Sequence, residues 1–170
     1  MSNGPDQLIF CRHGETVSNL GGWLAGSLDV ELTDRGREQA AAAAELLRHE
    51  SVSGIYASPL RRALETAEAI ATVLGLPILQ IPGLAERNWG ELEGGAFPSD
   101  LARMKIPGGE SLEAFEQRVA TAIASIPSTT EQGLPLIVAH AGTARAIRAY
   151  FGLPQDDAIS PNGQPMIIRR

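Results

Sequence analysis

The sequence predicts an α/β fold, a three-layer α/β/α sandwich with a mostly parallel central sheet. Three observations predict it. Short apolar runs that read as buried strands alternate with longer segments of helical composition. The helical segments carry start and stop signals, with Thr33, Ser58 and Ser111 as caps and Gly75 as terminator. No linker, internal repeat or low-complexity tract beyond a helical alanine run divides the 170 residues, a length that suits one domain over 1–170.

The elements follow in order. "LIFC" (8–11) is a short buried strand, and the glycine-containing, aperiodic stretch 13–32 reads as a long loop. "LTDRGREQAAAAAELLRH" (32–49) is the strongest helix signal, its body filled with alanine and leucine. "GIYAS" (54–58) is a second strand. Pro59 then suits the first turn of a helix that runs to Gly75. "PILQI" (77–81) is a third strand, followed by a glycine- and proline-rich loop over 82–109 with a short helical piece. An amphipathic helix occupies 111–126, a fourth strand 134–140 and a helix 142–152, and "PMIIRR" (165–170) reads as a last strand.

Composition narrows the function classes. A hydrophobic fraction of 44% and a charged fraction of 20% are ordinary for a globular protein. The net charge of −6 argues against a nucleic-acid partner, because phosphate backbones attract basic surfaces. Cys11 is the single cysteine, so no internal disulfide forms and a reducing, cytoplasmic setting is expected. It lies in a strand and reads as a small buried hydrophobe. "MSNGPDQ" has no positive segment leading into an apolar one, so no signal peptide is expected. No apolar run approaches the ~20 residues that span a bilayer, so no membrane partner is expected either.

In open α/β sheets, ligands bind outside the carboxyl ends of the strands. Arg12, His13, Gly14 and Glu15 follow the first strand; Ser58, Arg61 and Arg62 follow the second. Glu86 comes a few residues after the third, and His140, Ala141 and Gly142 after the fourth. Two of the three histidines thus fall at strand ends, while His49, at a helix end, reads as structural. Like charges packed together cost stability unless an anion joins them. A phosphoryl group fits, since guanidinium forks and helix N-termini both suit its oxygens.

These residues carry a resemblance. "CRHGETVSN" resembles the Arg-His-Gly-Glu-Thr motif of the histidine phosphatase superfamily, the phosphoglycerate-mutase-like family. "GSLDVELTDRGREQA", "YASPLRRALETA", "GLAERNWGELEG", "IPGGESLEAFEQRV" and "VAHAGTARAI" are similar to its later blocks, in the same order, and cover most of 8–153. The resemblance implies a phosphoglycerate-mutase-like fold with His13 as nucleophile, forming a transient phosphohistidine. It implies Arg12, Arg62 and His140 as phosphate holders and Glu86 as general acid. Gly14 allows close backbone approach and can pin the imidazole through its carbonyl, while Asn19 is a neutral donor. Thr16, Glu15, Ala141 and Trp89 complete the expected substrate-binding set, Glu15 in a supporting role, with Trp23 as a second wall residue. Arg61 occupies a variable position and is expected to face solvent.

His13 and Glu15 also form an H-x-E, the start of a zinc deaminase signature, but its P-C-x-x-C half cannot exist with one cysteine. No other metal-ligand spacing appears. The expectation is an enzyme without metal or cofactor. Its expected partner is a small phosphorylated metabolite, with oligomeric state open, a homodimer included. About a dozen residues separate Gly95 from Pro107, with only Arg103 and Lys105 as cations, and the chain ends soon after 165. Short walls favour hydrolysis over the mutase reaction also found in the family. "LEG" at 92–94 and His140-Ala141-Gly142 depart from the family's usual Trp-Glu-Gly and His-Gly-Gly without removing a catalytic group. The alternatives are a phosphoglycerate mutase or a non-catalytic phosphate- or phosphoprotein-binding module on the same fold.

Overall fold

The computed structural model of the chain describes residues 4–98, 106–128, 133–154 and 160–170. Arg103 and Lys105, the two cations of the short wall, lie outside the described residues.

Five strands form one sheet: β1 (Gln7–Arg12), β2 (Val52–Ala57), β3 (Ile78–Gln80), β4 (Leu134–Ala139) and β5 (Pro165–Arg169), in the order β3-β2-β4-β1-β5. The β3–β2, β2–β4 and β4–β1 pairings are parallel, and β5 runs antiparallel to β1. The helices are α1 (Val17–Gly21), α2 (Asp34–Leu47), α3 (Arg61–Leu74), α4 (Leu112–Ser125) and α5 (Ala141–Tyr150).

The central strands β1 and β4 carry apolar residues on both faces because both faces are covered, and the period of two deals those residues to two cores. Leu8 and Phe10 of β1, with Ile137 and Ala139 of β4, meet Val119 and Ile123 of α4 and Ile147 of α5. Ile9 and Cys11, with Leu136 and Val138, meet Ala43 and Leu47 of α2 and Ala67 and Ile70 of α3. Cys11 is fully buried there, and burial pushes its thiol up to about 12.

Thr33 caps α2 through a bond from the Gly36 N–H, and Ser111 caps α4 through the Ala114 N–H. Gly75 ends α3 in the left-handed conformation at φ 67°. Three local expectations need correction. The stretch 13–32 is not all loop, since α1 lies in it, held by a capping box between Thr16 and Asn19. Ser58 does not cap α3: the helix starts at Arg61 behind Leu60, and the serine hydroxyl is engaged elsewhere. The helical piece of 82–109 is two single 3-10 turns among the described residues, Pro82–Leu84 and Gly90–Leu92.

Register places the site. Arg12 of β1 stands opposite Ala139 of β4, and the His13 N–H donates to the Ala139 carbonyl at 2.9 Å. His13 and His140, far apart in sequence, therefore leave adjacent strands at the same height. After β1 the chain turns to the face of α2, and after β4 to the face of α5. That divergence opens a crevice between the two strand ends.

Candidate active site

His13 is buried at this crevice, and its Nδ1 lies 2.7 Å from the Gly14 carbonyl. A carbonyl only accepts, so Nδ1 carries the proton and Nε2 keeps its lone pair. Burial, then the positive charges of Arg62 and Arg12, hold the imidazole well below its usual range, so the ring is neutral. The Gly14 N–H in turn donates to Thr66 Oγ1 at 3.1 Å, and Thr66 donates to the Arg62 carbonyl one helical turn away. Position 14 admits only glycine, because a β-carbon would collide with the Gly36 carbonyl at the start of α2.

His140 is fully buried, its ring centroid 5.2 Å from that of His13. Its Nε2 lies 2.7 Å from Ser58 Oγ, and Ser58 Oγ accepts from the Leu60 N–H. Burial, then Arg62, His13 and Arg12, hold His140 well below its usual range as well. The other ring nitrogen, Nδ1, is buried without a partner among the described residues.

Two guanidinium groups flank the histidines. Arg62, 2% exposed, donates to the carbonyls of Leu28 and Gly26 at 2.8 and 2.7 Å. Arg12 donates to the Ser160 carbonyl at 3.0 Å, and its Nε is buried without a partner among the described residues. Neither forms an ion pair among the described residues. Burial pulls both below the usual arginine range, while the Glu86 charge counters it. Glu86 is held by two backbone donors, the Arg87 N–H at 2.9 Å and the Gly142 N–H at 3.0 Å. A β-carbon at Gly142 would collide with that carboxylate, which accounts for the glycine.

Arg12, His13, Arg62 and Glu86 line one cavity of about 150 Å³. Asn19, Ala141, Trp23 and Trp89 join its wall. Asn19 Oδ1 is occupied by the Thr16 N–H and by Asn162 Nδ2. Gly14, Glu15, Thr16 and His140 are not among the residues that line the cavity. Thr16 is the cap of α1, and the Glu15 carboxylate accepts from Thr33 Oγ1 at 2.8 Å with Arg35 at 3.7 Å. Arg61 faces outward to Glu65 and Glu31, and His49 is exposed.

Four participants escape the sequence reading. Asn162 donates to the His13 carbonyl at 2.8 Å, and the Gly163 N–H to that of Arg12 at 2.9 Å, so the segment before β5 straps the histidine loop. Glu93 accepts from the Ser27 and Trp89 N–H groups at 2.7 and 2.9 Å, which fixes the loop whose carbonyls hold Arg62. Phe97 and Arg145 line the cavity. Only Arg145 had a local signal, one turn into the helix behind His140.

The arrangement presents, around one small space, a fixed nitrogen lone pair, two cations with no carboxylate partner among the described residues and a carboxyl group, with the buried His140 ring beside His13. The chain is similar to known proteins. The histidine phosphatase superfamily (branch 1) matches residues 8–165. A phosphoglycerate mutase-like protein 4 from Arabidopsis thaliana is 36% identical over 83% of this chain and 69% of its own length. A metal-independent phosphoserine phosphatase from the same plant is 33% identical over 83% of this chain and 66% of its own. The chain therefore spans about two thirds of the length of these relatives. A solved mycobacterial glucosyl-3-phosphoglycerate phosphatase, complexed with VO3, superposes with a TM-score of 0.80 at 28% identity over 95% of this chain and 90% of that one.

Proposed function

This chain belongs to the histidine phosphatase superfamily, and from that premise we propose that it hydrolyses small phosphomonoesters through a phosphohistidine at His13, without a metal ion. The observation that carries the reading is the pinned, neutral imidazole. Its Nδ1–H is spent on the Gly14 carbonyl, and burial with two flanking cations keeps Nε2 unprotonated.

In the first step Nε2 forms a bond to phosphorus as the ester P–O bond breaks, and Glu86 gives its proton to the departing alkoxide. In the second a water attacks phosphorus, Glu86 takes the water's proton, and the N–P bond breaks. Phosphoryl transfer needs chiefly positioning and charge neutralisation. Arg12 and Arg62 supply the cations. The Nε of Arg12, without a partner among the described residues, is a buried donor of the kind that meets an anion, and His140 Nδ1 supplies a second in the tautomer where the Ser58 hydroxyl donates to Nε2. The name of the phosphoserine phosphatase relative supports the metal-free reading.

The purified protein should release phosphate from p-nitrophenyl phosphate in EDTA, and His13→Ala should lower kcat by roughly 10⁴-fold or more. Activity that survives the substitution would sink the mechanism. The mutase-like relative keeps a second reading in view, phosphoryl transfer between hydroxyls. Incubation with 3-phosphoglycerate separates them, since a mutase yields 2-phosphoglycerate and a phosphatase free phosphate. A non-catalytic phosphate binder would release neither, although it would still bind the anion.

A further inference from the structure

We propose that the mouth of the cavity is a docking site for a ring. On the phosphatase reading above, the alcohol part of the substrate lays a flat apolar face, aromatic or rich in C–H groups, against Trp23, Trp89 and Phe97.

The chain has two tryptophans, and both line the same cavity as His13 and Arg62. Each half-buried indole packs beside a glycine. A β-carbon at Gly21 would meet Trp23 Cδ1 at 2.8 Å, and one at Gly26 would meet Trp89 Cδ1 at 2.9 Å, so two glycines make room for two rings. The Arg87 guanidinium lies 4.3 Å over the Trp89 ring, and the Trp89 backbone N–H donates to Glu93. Trp23 pairs with Ala96 in an antiparallel bridge, and the Leu24 N–H donates to the Gly95 carbonyl at 2.8 Å. Phe97 follows directly and is 56% exposed although it borders the cavity. Exposed apolar surface beside a polar anion site is the usual form of a ligand wall.

Size gives the direction. A cavity of about 150 Å³ is well below the roughly 300 Å³ at which drug-sized ligand pockets begin. It has space for a phosphoryl group and little more, so the alcohol must lie outward, along the aromatic mouth. A ring gains stacking and burial there, whereas a short polar chain gains neither.

The test pairs benzyl phosphate with ethyl phosphate, whose alcohols depart with similar ease, and adds glucose 6-phosphate as the sugar arm. The expected kcat/KM is about tenfold higher for at least one ring-bearing ester than for ethyl phosphate. Phe97→Ser and Trp89→Leu should each shrink that ratio several-fold. Binding is read separately by quenching of the tryptophan fluorescence, where benzylphosphonate should bind about tenfold tighter than methylphosphonate. Turnover of all three esters at similar kcat/KM, or a ratio untouched by both substitutions, overturns the ring site and leaves the phosphatase reading standing. No turnover with benzylphosphonate still preferred removes the phosphatase reading and supports the ring site. No turnover and no preference removes both.

Discussion

Glu93 touches none of the groups expected to meet phosphate, yet it sets the position of one of them. Its carboxylate holds Ser27 through both N–H and hydroxyl, and the carbonyls on either side of Ser27 take the two Arg62 bonds. Removing it strands the Ser27 and Trp89 N–H groups. Glu93→Ala should therefore cost about 1–3 kcal/mol in denaturant unfolding. It should also weaken inorganic phosphate as an inhibitor, because Arg62 loses its register; an unchanged inhibition constant would show that Gly26 and Leu28 hold the guanidinium without help. At this scale the sequence was legible where one motif carries its own neighbours, as with His13 and the carbonyl of Gly14. It was not legible for Asn162, whose bonds to His13 and Asn19 span 149 and 143 residues. Nothing local to the "SPNGQP" segment distinguishes such a strap from an ordinary turn. Glu15, expected in a supporting role, turns its carboxylate to Thr33 and Arg35 at the start of α2.

Among the elements, α2 and the histidine loop are joined at two glycines. Gly14 and Gly36 leave no room for a β-carbon on either side, because each would strike the other strand of backbone. Gly36→Ala should push α2 off the loop, with destabilisation of about 1–3 kcal/mol and a fall in kcat, read by thermal unfolding and steady-state kinetics. Ser111→Ala is the matched control. It removes the cap of α4 at a residue that does not line the cavity, so stability should drop by about 1 kcal/mol with KM unchanged. The long helices were readable because apolar periodicity runs along fourteen residues in each of α2, α3 and α4, with Thr33 and Ser111 capping two of them and Gly75 ending the third. The five residues of α1 are too few to show a period, and only its Thr16–Asn19 box marks it. Ser58 followed by proline looked like a cap, but a tertiary partner, His140, claimed the hydroxyl first.

For the molecule as a whole, two buried neutral histidines couple stability to pH. Both are held well below the usual 6.5 in the folded state, so the unfolded chain binds more protons below that pH. Their contribution is in place above pH 6.5 and is lost as pH falls from there toward their lowered folded-state values. The melting temperature of the ligand-free protein should fall on acidification below about pH 6.5. The imidazole C–H signals of His13 and His140 should stay at neutral positions through that range, and titration of either near 6.5 by NMR would contradict it. The layered fold was legible because alternating strand and helix signals admit few topologies. The strand order was not, since no residue announces that β4 fits between β1 and β2. That insertion has a consequence for biosynthesis. Of this sheet, β1 and β2 are synthesised before the others, have no hydrogen bonds to exchange with each other and must wait for residues 134–139 to seat between them. A nascent chain halted before Leu134 would hold His13 on an unpaired β1, with no neighbouring strand to carry its second histidine, and the machinery for chemistry would arise in one late event.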